Sequence, residues 1–413
     1  MKHARYRQKI EAYFEHELPS YLELLRQMVE INSFTENPSG VNRLGELIMG
    51  AFAGLGFKAK TVQAANPDYG KHLVLTKQGA GKRKIGLISH LDTVFPPEEE
   101  AQNNFAWREE GNRIYGPGTI DIKGGTVIIF MILAALKEFV PKMYDDITWL
   151  VLLDAAEERG GFDFGQLCQE QLKDNTVAAL VFEAGKSRDG LFQIVAARKG
   201  IATFDVIAEG RASHAGSSHT YGANAIIQLA DTIQHIARLT DYNRDLTYNV
   251  GVISGGTVTN RVPHQARARV EMRAFSVDTF EAGIAQMLAL NGRSTISSPE
   301  DGYPCRISVR LRHQMPPWTP NPNSDHLLNY WKKAGRTLAI KVDREERGGL
   351  SDGNFLWRQI PTIDGLGPSG GNAHCSEQSA DGSKEQEFIY VPSLIPKALL
   401  NTIAILKLIE AET

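Results

Sequence analysis

Cysteine is scarce: Cys168, Cys305 and Cys375 are the only three in 413 residues, odd in number and far apart. A disulfide framework is thereby excluded, which fits a reducing compartment. No segment runs to about 18 uninterrupted apolar residues, so no membrane-spanning helix is expected. The first stretch, MKHARYRQKIEAYFEHELP, mixes charges and lacks the apolar core of a secretion signal. A cytoplasmic protein without a membrane partner is expected. A dominant charge is missing as well: the formal net charge is -3, and no basic block invites nucleic acid. Internal repeats and long low-complexity linkers are absent, which excludes a repeat array. What remains is the composition of a globular protein, 42% hydrophobic and 23% charged, too long for one ordinary core.

Apolar residues at helical spacing (Leu22, Leu25, Met28, Val29) predict a first helix. Val41, Leu44, Leu47, Ile48 and Phe52 predict a second, ending near Gly54 and Gly56. HLVLT and KIGLIS read as strands, and TVIIFMILAALKEF, apolar on nearly every side, as a buried helix. ITWLVLLDA and VAALVFEAG have the continuous apolarity of strands covered on both faces. This alternation predicts an α/β domain with a mainly parallel sheet. Near Gly200 the pattern changes to β-α-β-β-α-β, the order of a small ferredoxin-like domain. Alternation resumes at SDHLLNYWKKAG and closes with PSLIPKALLNTIAILKLI. The expected organisation is therefore residues 1–199 and 313–413 for one α/β domain, with residues 200–312 inserted and joined by two hinges.

Titratable groups gather where apolar strands end. In open α/β sheets that rim is where ligands bind. GLISHLDTVF places His90 and Asp92 there, GPGTIDIKGG places Asp121, LVLLDAAEERGG places Glu157 and Glu158, LVFEAG places Glu183, and GLGPSGGNAHCSE places His374. Each has an ordinary explanation alone: a hydrogen-bonded His-Asp pair, a helix N-cap, a solvated Glu-Glu turn, a loop histidine. All five loops together would bring repelling carboxylates to one place, and divalent cations relieve that repulsion. Two imidazoles and three carboxylates suit two zinc ions about 3.5 to 4 Å apart, one carboxylate bridging. Asp92 lies two residues after His90 and so points the same way, positioned to accept the second imidazole N–H. Of the adjacent Glu157 and Glu158, one can face a metal while the other stays free as a general base.

SHLDTV, GPGTIDIKGG, LLDAAEERGG, VFEAG, ASHAG, GGLSDGN and NAHCSE stand in the order found in the dinuclear zinc exopeptidases and amidohydrolases. That family includes glutamate carboxypeptidase, succinyl-diaminopimelate desuccinylase, acetylornithine deacetylase and aminoacylase, and nearly the whole chain resembles it. The resemblance implies that His90 and Glu183 hold one zinc, that Glu158 and His374 hold the other, and that Asp121 bridges them. Glu157 would be the general base and acid, and Asp92 the orienting partner of His90. The inserted domain would be a lid through which members commonly form homodimers. His214 in ASHAG would reach an active site, often the neighbouring subunit's, to stabilise an oxyanion. Asn260 is similar to a substrate-contacting asparagine, and Arg273 reads as either a structural pair or a carboxylate clamp. Arg310 or Arg312 falls where glutamate carboxypeptidases hold a terminal carboxylate. Ser351, in GGLSDGN, reads equally as a helix N-cap or a substrate contact. Two departures stand out: Pro117 where relatives often carry a basic residue, and a longer segment after His374 that begins with Cys375. Hydrolysis of a peptide or amide bond beside a free carboxylate is the expected activity. An N-acyl amino acid deacylase and a catalytically silent metal-binding receptor are the alternatives, with small peptides or N-acyl amino acids as ligands.

Overall fold

The computed structural model describes residues 2–188 and 190–411. Two compact units divide the chain, one comprising Met1–Ala196, Pro320–Glu346 and Ser351–Thr413, the other Ala197–Thr319 with Arg347–Leu350. Backbone pairing explains where the division falls. Arg198 and Trp318 exchange hydrogen bonds at 2.9 and 3.0 Å, and the Lys199 amide donates to the Arg347 carbonyl at 3.0 Å. The smaller unit thus includes a few residues on each side of 200–312, plus a short return near Gly348.

The larger unit is an α/β layer structure around a six-stranded sheet. Its strands run in the order Lys58–Gln63, Lys71–Lys77, Thr148–Asp154, Lys84–His90, Thr176–Val181 and Thr362–Ile363. The first two pairings are antiparallel and the other three parallel. Alternation along each strand feeds two separate apolar layers. Leu73, Leu75, Leu87, Trp149, Val151, Leu153 and Leu180 face one cluster, which includes the helices Lys2–Val29, Gly124–Phe139 and Leu394–Ala411. Val74, Ile88, Leu150, Leu152, Ala179 and Val181 face the other, under the helix Phe162–Leu172. Because both faces are covered, these strands are apolar throughout.

The helix Gly124–Phe139 is buried on nearly all sides, as its composition demands. Among the described residues, the stretch Thr119–Phe139 is long and apolar enough to cross a membrane, but most of it is buried within the protein. Its approach to the strand end needs Gly125, where an added Cβ would lie 2.1 Å from the Phe182 carbonyl oxygen. The first helix is longer than its apolar stripe at Leu22–Val29 suggests, beginning at Lys2 and continuing through Pro19. Ile10, Phe14, Tyr21, Leu25 and Met28, at steps of three, four and seven, are its buried side, which the surrounding charges conceal.

The smaller unit contains the strands Gly200–Glu209, Thr247–Gly255, Gln265–Ala274 and Arg306–Met315 and the helices Ala225–Ala237 and Val277–Leu288. The sheet order, second-third-first-fourth and antiparallel throughout, is ferredoxin-like. A small antiparallel sheet in the larger unit joins Gly370–Gly371, Phe388–Tyr390, Arg113–Tyr115 and Arg108–Glu110. It draws the loops bearing Asp121 and His374 toward each other.

A buried ion cluster ties the sheet edge to the helix beneath it. His72 is 1% exposed, with Nδ1 3.0 Å from Asp154 Oδ1 and Nε2 2.9 Å from Asp163 Oδ2. Burial opposes the charged imidazole, but hydrogen bonds to Asp154 and Asp163 outweigh it and push the His72 pKa up to about 9. The same contact draws the Asp163 carboxyl down to about 2. A pKa raised on folding contributes stability that is complete below the unfolded value of about 6.5 and is lost as pH rises through 9. Denaturant unfolding of the native chain is therefore expected to weaken between pH 6.5 and 9, by at most roughly 1.4 kcal/mol per unit, and His72→Gln to flatten that slope. Equal slopes in both proteins would assign the pH dependence elsewhere.

Candidate metal centre

Each candidate side chain leaves a sheet strand or a loop that the sheet aligns. His90 is the last residue of Lys84–His90, and Glu183 lies two residues beyond Thr176–Val181. Glu157 and Glu158 open a short 3-10 turn after Thr148–Asp154. Asp121 lies in an irregular turn, Thr119–Lys123, leading into the buried helix. His374 adopts a left-handed backbone, φ 66°, in the loop after Gly370–Gly371.

Three groups of potential ligand atoms form there, the atoms of each within 4.8 Å of one another: His90, Asp121 and Glu183; His90, Glu157 and Glu158; Asp121, Glu158 and His374. Asp121 lies between the two imidazoles, its Oδ1 3.0 Å from His90 Nε2 and its Oδ2 3.2 Å from His374 Nε2. Glu158 Oε1 lies 3.1 Å from the same His374 nitrogen, and Glu183 Oε1 3.9 Å from His90 Nε2. All five residues that the sequence nominates as ligands therefore converge, with Glu157 beside them.

The electrostatics are those of crowded acids. Burial and the charges of Glu183, Glu158 and Asp352 raise Glu157 well above the carboxylate range, against the pull of His90. Burial likewise raises Glu158, although its bond to His374 opposes this. Asp121 goes the other way: burial would raise it, but hydrogen bonds from His374 and His90 hold it well below the usual range. His374, held by Asp121 and Glu158, is pushed up to about 10. Among the described residues no lysine or arginine pairs with Asp121, Glu157 or Glu158, and buried Lys123 donates to the Ile31 carbonyl at 3.1 Å. Imidazole nitrogens and carboxylate oxygens are the donors that divalent zinc takes, so the donor set fits cations.

Asp92 lies beside His90, as its spacing predicts, and has a second set of partners. Nδ1 of His90 is 3.0 Å from the Asp92 backbone carbonyl and 3.4 Å from its carboxylate, so the carbonyl is the nearer acceptor. The carboxylate instead accepts the amides of Glu157 at 3.1 Å and Glu158 at 3.2 Å, and the Thr35 hydroxyl at 2.7 Å. It is a brace for the Glu157–Glu158 turn as much as a neighbour of the imidazole.

A sequence profile of Peptidase family M20/M25/M40 matches residues 86–390, about three quarters of the chain. The chain belongs to that family. Carboxypeptidase G2 of a Pseudomonas species is 27% identical over 388 residues, covering 93% of this chain and 88% of that relative. Acetylornithine deacetylase of Pectobacterium atrosepticum is 27% identical over 321 residues, covering 71% and 81%. Among solved structures, a tripeptidase from Staphylococcus aureus superposes with a TM-score of 0.74 at 21% identity, over 94% of this chain and 98% of that one, a likeness of fold. M20 peptidases are metal-dependent, and this member is an enzyme of the carboxypeptidase or amidohydrolase kind.

The remaining nominated residues of this M20 enzyme are in two places. Ser351 is in the larger unit, 2% exposed, donating to Asp364 Oδ2 at 2.7 Å and capping the turn Asp352–Phe355. Those contacts satisfy the N-cap alternative. The others are in the smaller unit. His214 is exposed, and its Nδ1 accepts the amides of Gly216 at 3.1 Å and Ser217 at 3.0 Å, leaving Nε2 as the protonated donor. Asn260 pairs beside it, its carbonyl accepting from Ala215 at 3.0 Å. Arg273 is engaged by Glu271 at 2.5 Å and the Gly348 carbonyl at 2.9 Å, which favours a structural pair over a clamp. Arg312 is 3.4 Å from Asp205, whereas Arg310 is exposed with no ion pair among the described residues. Nothing in the local sequence pattern of Thr35 and Glu387 announces their contacts, made across 57 and more than 260 residues.

Replacing Asp92 with asparagine removes a charged acceptor from three donors at once. Metal affinity of D92N is expected to fall about 10 to 100-fold, as for other groups that orient ligands. Competition against a chromophoric chelator checks it, and unchanged affinity would leave Asp92 without this bracing role.

Proposed function

We propose that this M20 enzyme is a dinuclear zinc hydrolase that cleaves a peptide or amide bond next to a free carboxylate, in the manner of a glutamate carboxypeptidase. The observation that supports it is Asp121 standing between His90 and His374, each imidazole also near a further carboxylate. In this assignment His90 and Glu183 hold one cation, Glu158 and His374 the other, and Asp121 both. When bound, two such cations supply Lewis-acid charge that lowers the pKa of water from about 15.7 toward 7 and polarises a carbonyl oxygen.

The chain's own residues carry the rest of the chemistry. Glu157 takes the proton of the attacking water and delivers it to the leaving amine nitrogen. A carboxylate oxygen of Glu157 lies within 4.8 Å of ligand atoms of His90 and Glu158, beside the place where that water would be held. His214 presents Nε2–H to the oxyanion that develops on the carbonyl. Arg310, the member of the arginine pair with no ion pair among the described residues, binds the free carboxylate of the substrate. The family resemblance also supports a homodimer formed through the smaller unit. A deacylase acting on N-acyl amino acids is the second reading, favoured by the likeness to acetylornithine deacetylase.

Release assays on C-terminal glutamyl peptides and N-acyl amino acids, with and without chelator, separate the two. Chelation is expected to abolish turnover and zinc to restore it. Glu157→Gln should retain its metal while kcat falls about 10² to 10⁴-fold, and His214→Ala should lower kcat far more than it raises KM. Full activity in metal-stripped protein, or in E157Q, would overturn the mechanism.

A further inference from the structure

Glu387 takes no part in the chemistry above, yet it is a wholly buried carboxyl residue, 0% exposed, immediately before the strand Phe388–Tyr390. One oxygen, Oε1, accepts the amides of Ile120 at 3.0 Å and Asp121 at 3.2 Å. The other, Oε2, accepts the amide of His374 at 3.3 Å. Its backbone repeats the connection: its carbonyl accepts from Gly116 at 3.3 Å, and its amide donates to the Cys375 carbonyl at 2.7 Å. A single residue is thus bonded by both side chain and main chain to the two loops that carry Asp121 and His374.

Neither loop holds its own shape by regular structure. Asp121, with φ -124° and ψ 87°, and Ile122, with φ -137° and ψ 28°, both depart from helical geometry within their turn. His374 has φ 66°, a conformation that costs a non-glycine residue energy and persists only where its surroundings impose it. A buried carboxylate is itself costly unless its oxygens are satisfied; these three amides are its partners, so the acid and the two loops fix one another.

We propose that Glu387 is a positioning residue that sets the separation of Asp121 and His374, and so the fit of the cation they share, through the backbone rather than by coordination. The inference rests on the dinuclear assignment above and deepens it. The bond from the Glu387 amide to the Cys375 carbonyl brings the chain back at Glu387 to where it left at Cys375, so residues 376–386 form a closed loop.

The test compares Glu387→Gln, which keeps the shape but replaces one acceptor oxygen with an NH₂ group facing backbone donors, with Gln386→Ala, one residue away and also buried. Zinc is titrated into each metal-stripped protein against a chromophoric chelator, alongside thermal melts. E387Q is expected to bind one of its two zincs about tenfold more weakly, within the range for groups that orient ligands. Q386A is expected to melt lower with both affinities intact. In a His374→Ala background, E387Q should add much less than it does alone. Native affinities in folded E387Q, equal affinity losses in Q386A, or full additivity with H374A would each overturn the proposal. If E387Q does not fold, Glu387→Asp, which withdraws the carboxylate by one methylene, is judged by the same titration. Native protein that binds no zinc at all would instead refute the metal assignment, so the two failures are distinguishable.

Discussion

Negative charge confined at the rim of a buried sheet is the constraint on which this molecule depends. Asp92, Asp121, Glu157, Glu158 and Glu183 converge where water is largely excluded, and burial is the leading cause that raises Glu157 and Glu158. Like charges in such a place cost several kcal/mol unless they are neutralised or hydrogen-bonded. The chain supplies three remedies. Imidazoles flank Asp121, backbone amides cap Asp92 and Glu387, and the donor geometry admits cations. The first two remedies are built by the fold, and they leave the third one place to act.

The α/β layers make that arrangement affordable. Parallel strands end together on one side, so residues far apart in sequence reach one rim without long loops. Gly161, with φ 41° and no room for a Cβ beside Asp154 Oδ2 at 2.2 Å, lets the Glu157–Glu158 turn close onto the next helix. Gly125 does the same for the helix behind Asp121. His72 pins the strand end from the other side, through Asp154 and Asp163. The scaffold acid Asp154 also feels the charge of Asp92, so the two groups of buried carboxylates are electrostatic neighbours.

The parts of this architecture legible in the sequence are those written in short-range pattern. Continuous apolarity marked Thr148–Asp154 and Thr176–Val181, the 3.6-residue period marked Pro38–Ala53, and the β-α-β-β-α-β order marked the ferredoxin-like unit. His90, Glu158 and Glu183 are legible because they follow apolar runs at strand ends, whereas Asp121, in a glycine-rich turn, and His374, in a polar loop, gain their meaning from the ordered motifs of the family. The first helix extends beyond its legible apolar stripe because its other buried residues are diluted by charge, and a proline lies within it. Side-chain partnerships across the fold were not visible. Asp92 could be placed beside His90 by its spacing, but its bonds to the Glu157 and Glu158 amides depend on a turn 65 residues away. Glu387 sits in a polar stretch whose composition reads as surface, and only the small antiparallel sheet makes it interior.

A hydrolytic centre of this kind says little by itself about which substrate is cut, since any carbonyl of suitable polarity can be attacked by the same water and proton carrier. Selection has to come from groups that meet the rest of the substrate. In the smaller unit Arg310 lies opposite Asp205 in the strand register, yet Asp205 pairs at 3.7 Å with Arg269 and at 3.4 Å with Arg312. One carboxylate shared by two guanidinium groups is already engaged, so the third arginine keeps its planar donors for another anion. An exposed arginine interacts weakly with a carboxylate in water, and strongly only when an approaching ligand removes that water. Among the described residues, Arg310 is thus the one of these three guanidinium groups without a carboxylate partner.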